Sequence, residues 1–159
     1  MQVNHGNPRQ AAQIAYAAGL IDGEGTVRIN KMRATERNQS KQPHYVGLVA
    51  IGMVTPTPLK FLQELFNCGT IREERVPNAR SIWRWTINAK SDVVTLLEAV
   101  RPYLLVKHEQ ADLVIDFIKN KKPPFNRKAG LSEEEIRWRE DVYQKVRKLN
   151  AVGAAATTK

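Results

Sequence analysis

The chain reads as an α+β domain, with helices gathered on one face of a four-stranded antiparallel sheet. Two observations predict it. Strand-length segments come in two pairs, each preceded by a helix, and further helices follow the second pair. Segments such as "TVRINKMR" and "SIWRWTIN" alternate polar and apolar residues, so one sheet face is buried and the other is open. At 159 residues and 42% hydrophobic content the chain can build one core, so residues 1–150 are read as a single domain and 151–159 as a flexible tail.

The first element lies in "NPRQAAQIAYAAGLIDGEGTVRI". Asn7 suits a helix cap, Pro8 the first turn and Gly23 to Gly25 the stop, which predicts a helix from Pro8 to Ile21. Ala11, Ala12, Ala15, Ala17, Ala18 and Gly19 make it small on nearly all sides, so another backbone can come close. A strand follows with Val27 and Ile29 on one face and Arg28 and Asn30 on the other. The polar loop "ATERNQSKQP" leads to a second strand, "HYVGLVAIGMV".

In "TPTPLKFLQELF" Thr57 is expected to cap a short helix and Pro58 to open it. "GTIREER" and "SIWRWTIN" then form a hairpin through "VPNA", with Ile82, Arg84 and Thr86 on one face and Trp83, Trp85 and Ile87 on the other. "SDVVTLLEAVRPYL" starts at a serine cap, places Val93, Leu96, Leu97 and Val100 at helical spacing and ends before Pro102. "KHEQADLVIDFIKN" is a further amphipathic helix. "SEEEIRWREDVYQKVRKLN" opens on a capping box. Trp83 and Trp85 belong under the sheet, and Leu113, Ile115, Phe117, Trp138 and Tyr143 fit helix packing.

Composition narrows the function. The 25 Lys and Arg against 16 Asp and Glu give a net charge of +9, which points to a polyanion, nucleic acid first. No run of about 18 apolar residues and no signal-peptide pattern exist. The expected protein is soluble and intracellular, in a bacterial or archaeal cytoplasm or an organelle interior. The single cysteine, Cys68, excludes an internal disulfide. His5, His44 and His108 lack metal-ligand spacing, so a metal would sit on carboxylates.

The chemistry concentrates at Asp22 and Glu24. Two acids at a helix C-terminus oppose the partial negative charge of the terminal carbonyls, so that end wants a cation. Gly23 and Gly25 are expected to permit a left-handed turn and close backbone approach. If the Ala/Gly helix, Pro8 to Ile21, packs on its own copy about a two-fold axis, two Glu24 carboxylates converge. Hard divalent cations such as magnesium would relieve their repulsion and suit phosphodiester hydrolysis. The segment has no tandem copy, so two such ends require two chains.

"AAGLIDGEG", Ala17 to Gly25, resembles the signature of the LAGLIDADG homing endonucleases, and "RPYLLVKHEQADLVIDFI" resembles the lysine-bearing segment of single-motif members. The likeness implies an αββαββα core with a four-stranded antiparallel DNA-binding sheet and extra C-terminal helices, in a homodimer joined through the Pro8 to Ile21 helix. It implies Mg2+, with Ca2+ or Mn2+ able to substitute, and Glu24 and Gly23 as metal-binding positions. Glu24, Lys107 and Thr55 would be the catalytic residues. Lys107 would stabilise or orient the attacking water and the developing charge at phosphorus, and Thr55 would order solvent after the second strand. Asp22 and Gly19 would be structural, Asp22 bracing the paired helix ends, and Gln110 belongs to the lysine-bearing segment.

Such a protein would be an intron-encoded, site-specific nuclease that cuts both strands of a long near-palindromic duplex. On the open sheet face Arg28, Asn30, Arg72, Arg80 and Arg84 would meet base edges, with Arg75 on a hairpin. Arg33, a DNA-binding loop residue, would touch phosphates, as would Arg37, Lys41 and Lys119 to Lys122. An RNA-splicing maturase or a non-cleaving DNA-binding regulator of the same fold is the alternative, with intron RNA a further candidate partner.

Overall fold

Asn7 accepts a hydrogen bond from the Arg9 amide at 3.1 Å and starts the first helix, with proline next to it. The protein is seen here as a computed structural model that describes residues 7–32, 42–75, 80–124 and 130–155. Its elements are α1 (Pro8–Glu24), β1 (Gly25–Met32), β2 (His44–Met53), α2 (Thr57–Phe66), β3 (Thr70–Glu74), β4 (Ile82–Ile87), α3 (Lys90–Val100), α4 (His108–Asn120) and α5 (Glu133–Ala155). A single 3-10 turn, Arg101–Tyr103, links α3 to the segment before α4.

The strands form one antiparallel sheet in the order β1-β2-β4-β3. Its register puts Val27 opposite Val49 and Val49 opposite Ile87, and Ile51 opposite Trp85. These residues are buried, and with Ile14, Ala17, Ile21, Leu62, Leu97 and Phe117 from the helices they form the core. Trp85 is fully buried and its indole donates to the Cys68 carbonyl at 3.0 Å, while Trp83 packs at the edge of the same cluster. Phe117 stacks on Trp138 with centroids 5.7 Å apart, the helix packing expected of both. The helices therefore cover one face, and the face bearing Thr26, Arg28, Asn30, Arg72, Arg84 and Thr86 is left open.

Several local expectations are corrected. Helix α1 does not stop at Ile21 but continues through Asp22 and Gly23 to Glu24, and strand β1 begins at the next residue. No left-handed turn occurs: Gly25 is extended at φ −88°. Glycine is needed there for space, since a Cβ would lie 2.7 Å from the Ile21 carbonyl oxygen. Thr57 is the first residue of α2 rather than its cap, a place taken by Pro56, whose carbonyl accepts from the Lys60 amide at 3.0 Å. Ser91 lies inside α3, and Ala89 is the cap residue. In α5 Ser132 accepts from the Glu135 amide at 3.2 Å, but the Glu135 carboxylate turns to the Lys122 amide and to Arg139, so only half of the box forms. That helix is described as far as Ala155.

Helix α5 lies along β1, at the edge of the sheet. Asn150 donates to the Val27 carbonyl at 3.1 Å, and Glu140 accepts from Lys31 at 2.7 Å and from the Tyr45 hydroxyl. Burial alone would raise the Glu140 pKa, but hydrogen bonds from Lys31, Tyr45 and Gln144 outweigh it and hold the carboxyl at about 2. Among the described residues no helix is long and apolar enough to cross a membrane.

Candidate nucleic-acid interface and acidic helix end

The two acids at the end of α1 have different surroundings. Glu24 is exposed and ends the helix. Asp22 is half-buried and accepts three backbone N–H groups from the segment before α4: Leu105 at 2.7 Å and Val106 at 3.2 Å on one oxygen, Lys107 at 2.9 Å on the other. Such charge-assisted bonds hold that segment against the helix end.

Lys107 supplies the cation this end required. Its ammonium donates to the Ile21 carbonyl at 2.9 Å and to the Asp22 carbonyl, two acceptors of the last helical turn. Burial lowers its pKa, and the nearby Asp22 and Glu24 carboxylates act in the opposite direction. An ammonium has three donors, so one N–H is left over beside Glu24. Lys107 and Glu24, 83 positions apart, thus share one helix end. Thr55 is exposed and follows β2, four residues after Ile51, which pairs with Gly25; it lies toward the same end of the sheet.

Gly19 and Gly23 are on the outer side of α1, with nothing within 4 Å of where a Cβ would be. Ala12, Tyr16, Gly19 and Gly23 form an exposed stripe at helical spacing. Among the described residues, four of the five exposed large apolar side chains, Tyr16, Val54, Leu105 and Val106, belong to α1 or to the segments beside its acidic end, and Leu105 is 84% exposed. Large apolar surface of this kind marks a contact surface.

The open sheet face carries the expected basic residues unequally. Arg28 and Arg72 are exposed and Asn30 is half-buried, all on that face by register. Arg84 is held by Glu74 at 2.7 and 2.9 Å, a bidentate pair on the same face. Arg75 and Arg80 are exposed at the end of the β3–β4 pair, Arg75 reaching Glu73 at 3.4 Å. Arg33, Arg37 and Lys41 lie outside the described residues. Two residues were not anticipated: Arg147 and Asn150 of α5 join Arg28 and Asn30 around a groove of about 350 Å3. The run Lys145, Arg147 and Lys148 in the second half of α5 was a usable signal, but only the fold shows which of its residues reach β1.

Among the described residues no three His, Cys, Asp or Glu side chains cluster to hold a metal ion. One chain offers the Glu24 carboxylate and, with Asp22 occupied by amides, the Gly23 carbonyl at the helix end. These are oxygen donors of the hard type that suits Mg2+ or Ca2+, but too few without a second copy and a phosphate.

This topology is the fold of the LAGLIDADG homing endonucleases. The homing endonuclease I-CvuI in complex with the I-CreI target in the presence of Mg superposes with a TM-score of 0.73 at 22% identity, covering 90% of this chain and 85% of that one. The archaeal intron-encoded homing endonuclease I-Vdi141I complexed with DNA gives 0.68 at 14%, covering 87% and 84%. The LAGLIDADG homing endonuclease I-GzeII in complex with its DNA target gives 0.57 at 16%, covering 86% of this chain and 43% of that one. No protein-family model and no curated protein sequence matches the chain.

Proposed function

We infer that the chain is a LAGLIDADG homing endonuclease of the single-motif type: a homodimer that binds a long, near-palindromic duplex and hydrolyses one phosphodiester in each strand with Mg2+. The observation that carries this reading is the end of α1, where the exposed Glu24 and the Lys107 ammonium, held on the Ile21 and Asp22 carbonyls, share the last helical turn at the base of an open basic sheet. The similar solved structures, described as homing endonucleases with DNA targets, support it.

Ala12, Gly19 and Gly23 let two α1 helices approach, with Tyr16 adding apolar contact area, and this brings two Glu24 carboxylates together. Leu105 and Val106 then leave water in the same contact. A divalent cation held by Glu24 and Gly23 would supply Lewis-acid polarisation of the scissile phosphate. Lys107 keeps positive charge beside that phosphate, and Asp22 fixes the lysine by holding its backbone. Strand β2, His44–Met53, has ten residues and spans about 30 Å. Each subunit therefore reads about nine base pairs, given a rise of about 3.4 Å per pair.

The test is cleavage of a randomised plasmid library by the purified protein with magnesium, calcium or a chelator, followed by sequencing of the cut ends. Magnesium-dependent cuts at one near-palindromic motif are expected. Glu24→Gln should abolish cutting while sparing binding; retained cutting by that variant removes Glu24 from the mechanism.

A further inference from the structure

At the end of the sheet away from Glu24, β2 starts at His44, the chain leaves α4 at Lys121, and α3 starts at Lys90. These segments and α5 enclose an open cleft of about 440 Å3 lined by Lys90, Lys121, Lys122, His44 and Arg139. Among the described residues that line it there is no acid. Glu135 is buried against Arg139 at 2.7 Å and also accepts the Lys122 amide at 3.0 Å. Among the described residues the ammonium groups of Lys90, Lys121 and Lys122 have no carboxylate partner, and that of Lys121 lies 5.2 Å from the centre of the Phe117 ring. The charges strain one another. Burial, Lys90 and Arg139 push the Lys121 pKa down to about 8, and burial, Lys121, Arg139 and Lys90 lower that of His44.

Three lysines that converge on an open cleft, one of them half-buried, without an acid among its described lining, make a site whose missing component is an anion. We propose that the Lys90–Lys121–Lys122 cleft binds a phosphoryl group, and that its occupant is a backbone phosphate at the outer end of each DNA half-site. The position favours the backbone over free phosphate. His44 is seven residues along β2 from Ile51, which pairs with Gly25 beside Glu24. That is about 24 Å, or about seven base pairs from the centre of a duplex lying along the sheet. The cleft would fix how the duplex leaves the sheet and carry no sequence information. Only the choice of occupant rests on the DNA-binding reading above.

The full chain is compared with Lys90→Met and with Lys90→Met/Lys121→Met. Thermal unfolding is followed with inorganic pyrophosphate against sodium chloride at equal ionic strength, and the salt dependence of binding is measured on a duplex carrying the selected site. Pyrophosphate should raise the Tm of the parent beyond chloride, and this extra shift should vanish in the double variant. In chloride the variants should be at least as stable as the parent, because like charges have been removed. The slope of log K against log salt should become shallower by about 0.9 for each lysine that meets a phosphate. Pyrophosphate stabilisation with unchanged DNA slopes keeps the site and gives it to free phosphate. If the parent shows no phosphate-specific shift, the site is overturned, even where the slopes differ, since they would then report only general surface charge. A parent that binds no duplex refutes the nuclease reading, and the pyrophosphate arm still decides the cleft.

Discussion

Replacing Asp22 by asparagine tests whether this carboxylate is what holds Lys107. The parent side chain accepts from the amides of Leu105, Val106 and Lys107 at 2.7, 3.2 and 2.9 Å. Asparagine keeps one acceptor oxygen and turns an amide group toward at least one of these donors. Bonds to a charged acceptor contribute about 1.5–3 kcal/mol each. Asp22 is half-exposed, so water replaces part of the loss, and the net cost should be about 2–3 kcal/mol. For a chain of this length that lowers Tm by about 4–12 °C. The sharper assay is amide hydrogen exchange, because opening this segment locally becomes easier by the same energy and exchange at residues 105–107 should speed up about 30- to 160-fold. Unchanged exchange there, with Tm within about 1 °C of the parent, would refute the claim that Asp22 anchors the lysine segment.

Lys107→Met leaves two α1 carbonyls without their cation and should slow cleavage about 100- to 1000-fold with little change in binding, as measured by single-turnover kinetics. The parent Lys107 has a folded pKa below the usual 10.5, so its unfolded chain binds more protons between the two values and stability should rise with pH across that window; urea unfolding of Lys107→Met should lack this rise. Glu140, held at about 2, contributes stability that is complete above about 4.5 and lost as pH falls toward 2; Glu140→Gln should flatten that acid limb in thermal scans. Gly25→Ala puts a Cβ 2.7 Å from the Ile21 carbonyl and 2.8 Å from its Cα, both backbone, and should cost about 2–3 kcal/mol in denaturant unfolding.

Alternation and helical spacing made most of the architecture legible in the chain itself. Val27 and Ile29 against Arg28 and Asn30, and the two tryptophans against Arg84, report a sheet buried on one side, and the register confirms it. The ends of elements were harder to read. Glycine propensity argued for a stop at Gly23, yet the helix continues because tertiary contacts of Ile21 and the Lys107 ammonium support its last turn. Serine and threonine were expected at caps that Ala89 and Pro56 occupy through backbone carbonyls alone. The partners of Asp22 lie 83 to 85 residues away, and no local pattern announces them. The same holds for the lysine cleft: "KNKK" was visible as a basic run, but its convergence with Lys90 and Arg139 exists only in three dimensions.

The passage from α1 to β1 has no loop: Glu24 is the last helical residue and Gly25 the first of the strand. Thr26, the first side chain of β1 on the open face, is two residues from Glu24, at most about 7 Å along the backbone. If the open face reads DNA as proposed, helix, carboxylate and innermost strand position would move as one lever. In a nuclease built this way, a wrong base at the centre of the target shifts the carboxylate itself, so discrimination there should show in the rate of cutting more than in the tightness of binding. Attempts to retarget the innermost base pairs would then have to re-seat the α1–β1 junction, whereas the outer strand positions could be exchanged freely.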